Sequence, residues 1–166
     1  EKVFATAGQK NFQVKPTKFL LDKNPVSVGL NIEFDRWGID FLDCDILTDK
    51  DVYIPMDMTF PFIRYKGNAG FDMLIHLIPD SVTITGDIFG NKGAIEIQTN
   101  DIVGSDDDEE KSDDMDFIVD LNIQIHNKVQ ILLNPLLRGL IVPGSAMELF
   151  IDTRTGGVGA KGEVNL

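Results

Sequence analysis

Few residues in this chain could carry chemistry, and their spacing tells against most of it. Gly157, Gly159 and Gly162 spell G-x-G-x-x-G. A dinucleotide site needs that spacing between a strand and a helix, where free backbone amides meet the pyrophosphate. After Gly162 the chain reads "EVNL", a strand pattern, so the glycines belong to a hairpin. Ser105 to Asp116, "SDDDEEKSDDMD", holds eight acids and one Lys. A calcium loop alternates its ligands, turns on a Gly and closes with a Glu. This run has no such order, and like charges packed so closely repel and stay solvated, which marks 104–115 as an acidic flexible loop. His76 and His126, the two histidines, each fall opposite the apolar stripe of their strand. That is a polar surface or edge position rather than a metal site. Asp43 and Asp45 share a strand face, with Asp40 nearby, and such a pair could act as acid and base. Five serines are present, none in the setting of a nucleophile elbow. Cys44 is the single cysteine, so an internal disulfide and a multi-Cys zinc site are both excluded. The residues argue for no enzyme, no metal and no cofactor.

The elements that must position these residues are strands. A length of 166 residues with 43% hydrophobic and 25% charged side chains fits one folded domain spanning 1–166. No apolar stretch approaches a transmembrane helix. The chain starts at Glu1 without a signal-like segment and stops at "GEVNL", a strand in progress, so it is expected to be a piece of a longer protein. Net charge is −12, of which the acidic run supplies most. No basic stripe exists to neutralise phosphates, which excludes nucleic acid as a partner.

Apolar residues recur at every second position, the period of a strand with one apolar face. "PVSVGLNIEFD" aligns Val26, Val28, Leu30, Ile32 and Phe34. "DVYIPMDMTFPF" aligns Val52, Ile54, Met56, Met58, Phe60 and Phe62, with Pro55 and Pro61 on the other set. Proline cannot donate to a ladder, so this segment reads as an edge strand or as broken pairing. "FDMLIHLIP" aligns Phe71, Met73, Ile75 and Leu77, and "SVTITGDI" aligns Val82, Ile84 and Ile88. "DFIVDLNIQI" aligns Phe117, Val119, Leu121, Ile123 and Ile125, and "AMELFID" aligns Met147, Leu149 and Ile151. Turn signals stand at Lys23-Asn24-Pro25, Lys66-Gly67-Asn68, Gly90-Asn91-Lys92-Gly93 and Thr155-Gly156-Gly157. "NPLLRGLIVPG" reads as a loop with an apolar plug. "SVTITGDIFGNKGAIEIQ" and "LFIDTRTGGVGAKGEVNL" each read strand, Gly-x-Lys-Gly, strand.

The class is therefore all-β, and the open question is what covers the stripes. A two-sheet sandwich would bury them as its core. An outer-membrane barrel would need aromatic girdles at both interfaces, and Trp37, Tyr53 and Tyr65 are too few. Five Met and eleven Phe point to a surface that adapts to variable apolar partners.

The last third, from "DFIVDLNIQIHNKVQILL" through "MELFIDTRTGGVGAKGEVNL", resembles the C-terminal domain of the TamB family, and "VTITGDIFGNKGAIEIQ" has the same cadence. The matching pieces are an alternating strand at Phe117 to Ile125, an apolar patch at Lys128 to Leu133 and a strand-turn-strand at Leu149 to Leu166. The acidic loop departs from the family pattern, as does the lack of an aromatic at "QILLNP". The resemblance implies an elongated, curled β-sheet whose apolar concave face forms an open groove. It implies a periplasmic segment of an inner-membrane-anchored protein in a diderm bacterium, with an Omp85-type barrel partner and phospholipid acyl chains as cargo. On that reading all the stripes above except Ile88, together with Val129 and Ile131, line the groove. Rival readings come from other classes: a chaperone groove that takes unfolded strands of outer-membrane proteins by edge addition, or a purely structural β domain whose stripes are a closed, dry core. An open edge at a cut end would favour a homodimer of the fragment.

Overall fold

The computed structural model describes residues 3–36, 38–59, 63–98, 115–134 and 137–163. Among them there is no helix, and all twelve strands belong to one open, curled sheet. The strands are β1 (Ala5–Ala7), β2 (Asn11–Leu21), β3 (Asn24–Asp35), β4 (Gly38–Thr48), β5 (Ile54–Thr59) and β6 (Ile63–Ile78). They continue with β7 (Ser81–Gln98), β8 (Asp116–Ile125), β9 (Val129–Asn134), β10 (Leu137–Ile141), β11 (Ala146–Asp152) and β12 (Gly157–Glu163).

The long hairpin β6–β7 is the spine. Along one part of it the order runs β1-β2-β3-β4-β6-β7-β8-β11-β12. Along the other part β5 pairs with β6, β9 with β7 and β10 with β9. β4 and β5 thus lie end to end beside β6, and β8 and β9 end to end beside β7. β10 and β11 keep the same arrangement in the next row. Pairing is antiparallel except where β8 and β9 run parallel to β7. Parallel neighbours need a crossover of a dozen or more residues. The segment from 99 to 115, which contains all of the acidic run but Asp116, has that length. Its residues 99–114 lie outside the described residues.

The breaks between end-to-end strands stand at one level, and the sheet folds over there. Ile88 and Ile95 share a face of β7, and a straight strand would separate them by roughly 23 Å. Yet Ile95 lines one small cavity with Ile123, the register partner of Ile88. Ile125, Ile141, Ser145, Ala146 and Met147 complete its wall. The bend lies at Asn91, an extra residue in β7 where the register with β6 slips between Asn68 and Ala69. Gly67 and Gly93 face each other across this point. A Cβ on Gly93, whose φ is +152°, would meet the Lys66 carbonyl, and a Cβ on Gly67 the Lys92 carbonyl. Only glycine admits so close an approach.

Two expected turns are therefore corrected. Lys66-Gly67-Asn68 lies within β6, and Gly90-Asn91-Lys92-Gly93 lies within β7. The glycines bend a continuous strand instead of ending it. Gly159-Ala160-Lys161-Gly162 likewise lies inside β12, and the turn before it falls at Thr153–Gly156. "NPLLRGLIVPG" supplies β10 instead of a loop. Pairing with β9 recruits that segment, an effect outside local propensity. Turns form at Asp22-Lys23 and Thr153–Gly156, slightly before the expected Lys23-Asn24-Pro25 and Thr155-Gly156-Gly157, since Asn24 and Pro25 already belong to β3 and Gly157 to β12. β5, with Pro55, pairs with β6 alone among the described strands, as an edge strand should.

Candidate functional site: the apolar face of the sheet

The register collects the apolar stripes on one face. Leu30 pairs with Cys44, then Ile75, Ile84, Val119 and Ile151 in turn. The next rung holds Ile32, Leu42, Leu77, Val82 and Phe117, with Phe34 two residues beyond Ile32. On the other side come Val28, Ile46, Met73, Gly86, Leu121 and Leu149. Val26 pairs with Thr48, and Phe71 with Ile88, Ile123 and Met147. Beyond the bend the face continues through Ile54, Ala69 and Ile125, then Met56, Val129 and Ile141, then Met58, Tyr65, Ile95 and Ile131. Val52 is the exception, because β5 begins at Ile54 and leaves Val52 half-buried in the loop before it. Phe60 and Phe62 lie outside the described residues.

Burial divides this face into two regions. Around the fold-over it is dry: Val119 is 0% exposed, Leu121 1%, Ile95 1% and Ile141 2%. Ile54, Tyr65, Phe71, Val129, Leu149 and Ile151 belong to the same core. Across β2, β3 and β4 the face is sealed at one end, where Val26, Thr17 and Thr48 are buried, and only partly covered beyond it. Val28, Leu30, Ile32, Leu42 and Cys44 are half-buried, and Phe34, Phe19 and Ile39 are 39%, 46% and 42% exposed. Two of the three bordering strands, β2 and β4, are not evident as stripes in the sequence. In β2, Pro16 sits at a register shift between Val14 and Thr17 and breaks the period of two. In β4, Phe41 and Leu47 sit among the polar set and blur the alternation of Leu42, Cys44 and Ile46.

The polar atoms on the apolar face are kept neutral. Burial, with help from the Asp45 carboxylate, pushes the Cys44 thiol above its ordinary value. Burial pushes Tyr65 up to about 12. Its hydroxyl donates to the Asn68 carbonyl at 2.8 Å, with the Lys92 carbonyl at 3.2 Å. A surface of aliphatic, Met and uncharged polar groups can hold an apolar chain.

The other face carries the titratable residues. His76 Nδ1 lies 2.6 Å from Asp43 Oδ1, beside the Phe41 ring, so Asp43 is engaged by the histidine and is not paired with Asp45. Asp45 is on the same face, opposite Leu74 and exposed, and Asp40 is exposed too. Among the described residues no group of three or more His, Cys, Asp or Glu stands close enough to hold a metal ion. His126 sits in the break between β8 and β9, where Phe89 stacks on it and Tyr53 Oη lies 3.1 Å from Nδ1. They border a cleft of about 410 Å³ with Asp49, Asp51, Asp72 and Gln124. The sequence gives no sign of this cleft, since its walls come from two strand breaks, β4–β5 and β8–β9, and from the continuous strands β6 and β7 between them. Gly157, Gly159 and Gly162 run from a turn into β12, with no helix to receive a pyrophosphate.

The fold and this face define an all-β protein with one open sheet and an apolar surface, part sealed and part uncovered. No protein-family model, no curated protein and no solved structure matches the chain.

Proposed function

We propose that this chain is a segment of an apolar track that shields lipid acyl chains, with the uncovered part of the sheet face over β2 to β4 as the contact surface. The observation that carries this reading is the apolar face over β3 and β4, continuous in register with the sealed core, on which Val28, Leu30 and Ile32 are half-buried and Phe34 is exposed. Moving one CH₂ from apolar surroundings into water costs about 0.8 kcal/mol, so a C16 chain costs on the order of 12 kcal/mol. A chain that slides along a continuous apolar face never meets that cost. The task needs polar groups on the outer face, as Asp43, Asp45, Asp72 and Asp87 provide, and no catalytic residue. The TamB-like cadence adds a setting to the proposal: a periplasmic stretch that moves phospholipid towards an outer membrane beside an Omp85-type barrel.

A second reading rests on the sheet edge. β12 pairs with β11 alone among the described strands. Its free edge is the place where a client strand, or a second copy, would add.

Photo-crosslinking in cells tests the first reading, with benzoylphenylalanine at Leu30 or Ile32 and, as the opposite-face control, at Asn31 or Glu33. Phospholipid adducts are expected at the even-numbered pair and not at the odd one. Crosslinks to protein alone at all four positions would overturn it, and peptide adducts concentrated at β12 would favour strand addition.

A further inference from the structure

The cleft beside His126 takes no part in the acyl-chain reading, because it opens on the outer face of the sheet. Its volume of about 410 Å³ falls within the range of small-molecule pockets. Three rings from three separate segments meet there. Phe89 of β7 stacks on His126 with ring centroids 5.1 Å apart. Tyr53 meets the same imidazole edge-on, with its hydroxyl 3.1 Å from Nδ1. The β4–β5 loop that forms one wall is fastened at both ends. Thr48 Oγ1 accepts from the Phe71 N–H at 2.9 Å, and Tyr53 holds His126. Between these points the loop comes down on Gly70, where a Cβ would stand 2.8 Å from Thr48 Oγ1 and 3.0 Å from the Val52 carbonyl. The cleft is therefore formed before any ligand arrives.

Its walls select for positive charge. Asp49, Asp51 and Asp72 line it together with Lys50. Lys18 takes up Asp49 at 2.5 Å, which leaves one negative charge in excess. The side chains of Asp51 and Asp72 have no hydrogen-bond or ion-pair partner among the described residues. Burial, and then the Asp51 carboxylate, push the Tyr53 hydroxyl above its ordinary value, so the negative field reaches the ring wall. The surroundings add to it. Asp72 stands opposite Asp87 in the β6–β7 register, and Asp87 is bonded only by neutral amides, with the Asn122 amide at 2.6 Å. Asp43, Asp45, Asp120 and Glu148 share this outer face. No Lys or Arg occurs in β3, β4, β8 or β11, nor in the stretches 71–78 of β6 and 81–90 of β7 that lie between them. A bare metal ion is not the match, since no three ligating residues stand close enough among those described. An organic cation matches both parts of the wall: the rings take its apolar body and the carboxylates its charge.

We propose that the cleft walled by Tyr53, Phe89 and His126 binds a small organic amine, with its ammonium group beside Asp72 and Asp51. This goes beyond the acyl-chain reading and stands or falls without it, because cleft and track lie on opposite faces of the sheet. A titration of backbone amide chemical shifts with benzylamine, an ammonium ion at neutral pH, measures it. The amides of Gly70 and His126 should shift and saturate, with a Kd below about 10 mM. Benzyl alcohol, of the same shape without the charge, should bind at least about tenfold more weakly. Asp72→Asn should weaken benzylamine binding at least about fivefold, and Phe89→Leu about threefold. Asp120→Asn, on the same face outside the cleft, should change it less than about twofold. The same spectra report whether each variant keeps the fold. The proposal is overturned if no saturable shift develops, if benzyl alcohol binds as tightly, or if either cleft variant binds like the parent. Equal losses from Asp72→Asn and Asp120→Asn would also overturn it, since the amine would then be answering only to the general charge of the face.

Discussion

β3 and β8 carry the same alternation and end in different surroundings. Val119, Leu121, Ile123 and Ile125 of β8 are 0–9% exposed, sealed by the part of the sheet that folds over at Gly67 and Gly93. Leu30 and Ile32 of β3 are half-buried and Phe34 is exposed, because no strand among the described residues folds back across them. One apolar face is therefore core at one place and accessible surface at another. The covered part holds the sheet in shape, and the uncovered part is free to meet something else.

A charge placed in each strand should separate the two most widely. Ile123→Asp should destabilise the domain by more than about 4 kcal/mol or leave it unfolded, since an unpaired carboxylate in a dry core has no partner. Leu30→Asp should leave it folded, with a loss of about 1 kcal/mol, because water reaches that position. Denaturant unfolding of both variants measures the difference. Equal losses would mean that β3 is sealed as well, and the accessible surface would vanish with it.

A smaller effect is expected at the bend that covers β8. Gly93→Ala should cost about 2–3 kcal/mol, from the unfavourable φ and from the Lys66 carbonyl that a Cβ would meet. Gly159→Ala, where a Cβ finds open space, should stay within about 0.5 kcal/mol. A Gly93→Ala domain as stable as the parent would show that the fold-over does not need this close approach.

The weakest effect is a pH dependence confined to the covered region. Tyr65 has its folded-state value raised by burial to about 12 from 10.0. The unfolded chain therefore loses that proton first as pH rises. The contribution of Tyr65 is complete below about pH 10 and is lost progressively between about 10 and 12. Tyr65→Phe should flatten the alkaline fall in stability across that window, measured by denaturant midpoints at several pH values. An unchanged alkaline fall in the phenylalanine variant would place its origin elsewhere.

The strand period is legible in the sequence for β3, for β5 from Ile54 onward, and for β6, β7, β8 and β11, because alternation is a local property. Register then puts their apolar residues on one face without further help. Three kinds of residue are not legible. Gly67 and Gly93 look like turn formers, and only their pairing across two strands makes them the site of a bend. Pro16 shifts the phase of β2, so Phe12 and Val14 fall out of step with Thr17 and Phe19 although all four share a face. The cleft around His126 joins segments far apart in the chain, and no spacing announces it.

Residue order alone makes this chain form strands with one apolar and one polar face, since each side chain's direction is set by its neighbours. Which part of the apolar face is sealed, and which stays open, depends on the folded arrangement of the whole sheet. The reason is physical: burial is set by what folds over a residue, and the strands that cover β8 are brought there by a bend more than twenty residues away in the chain.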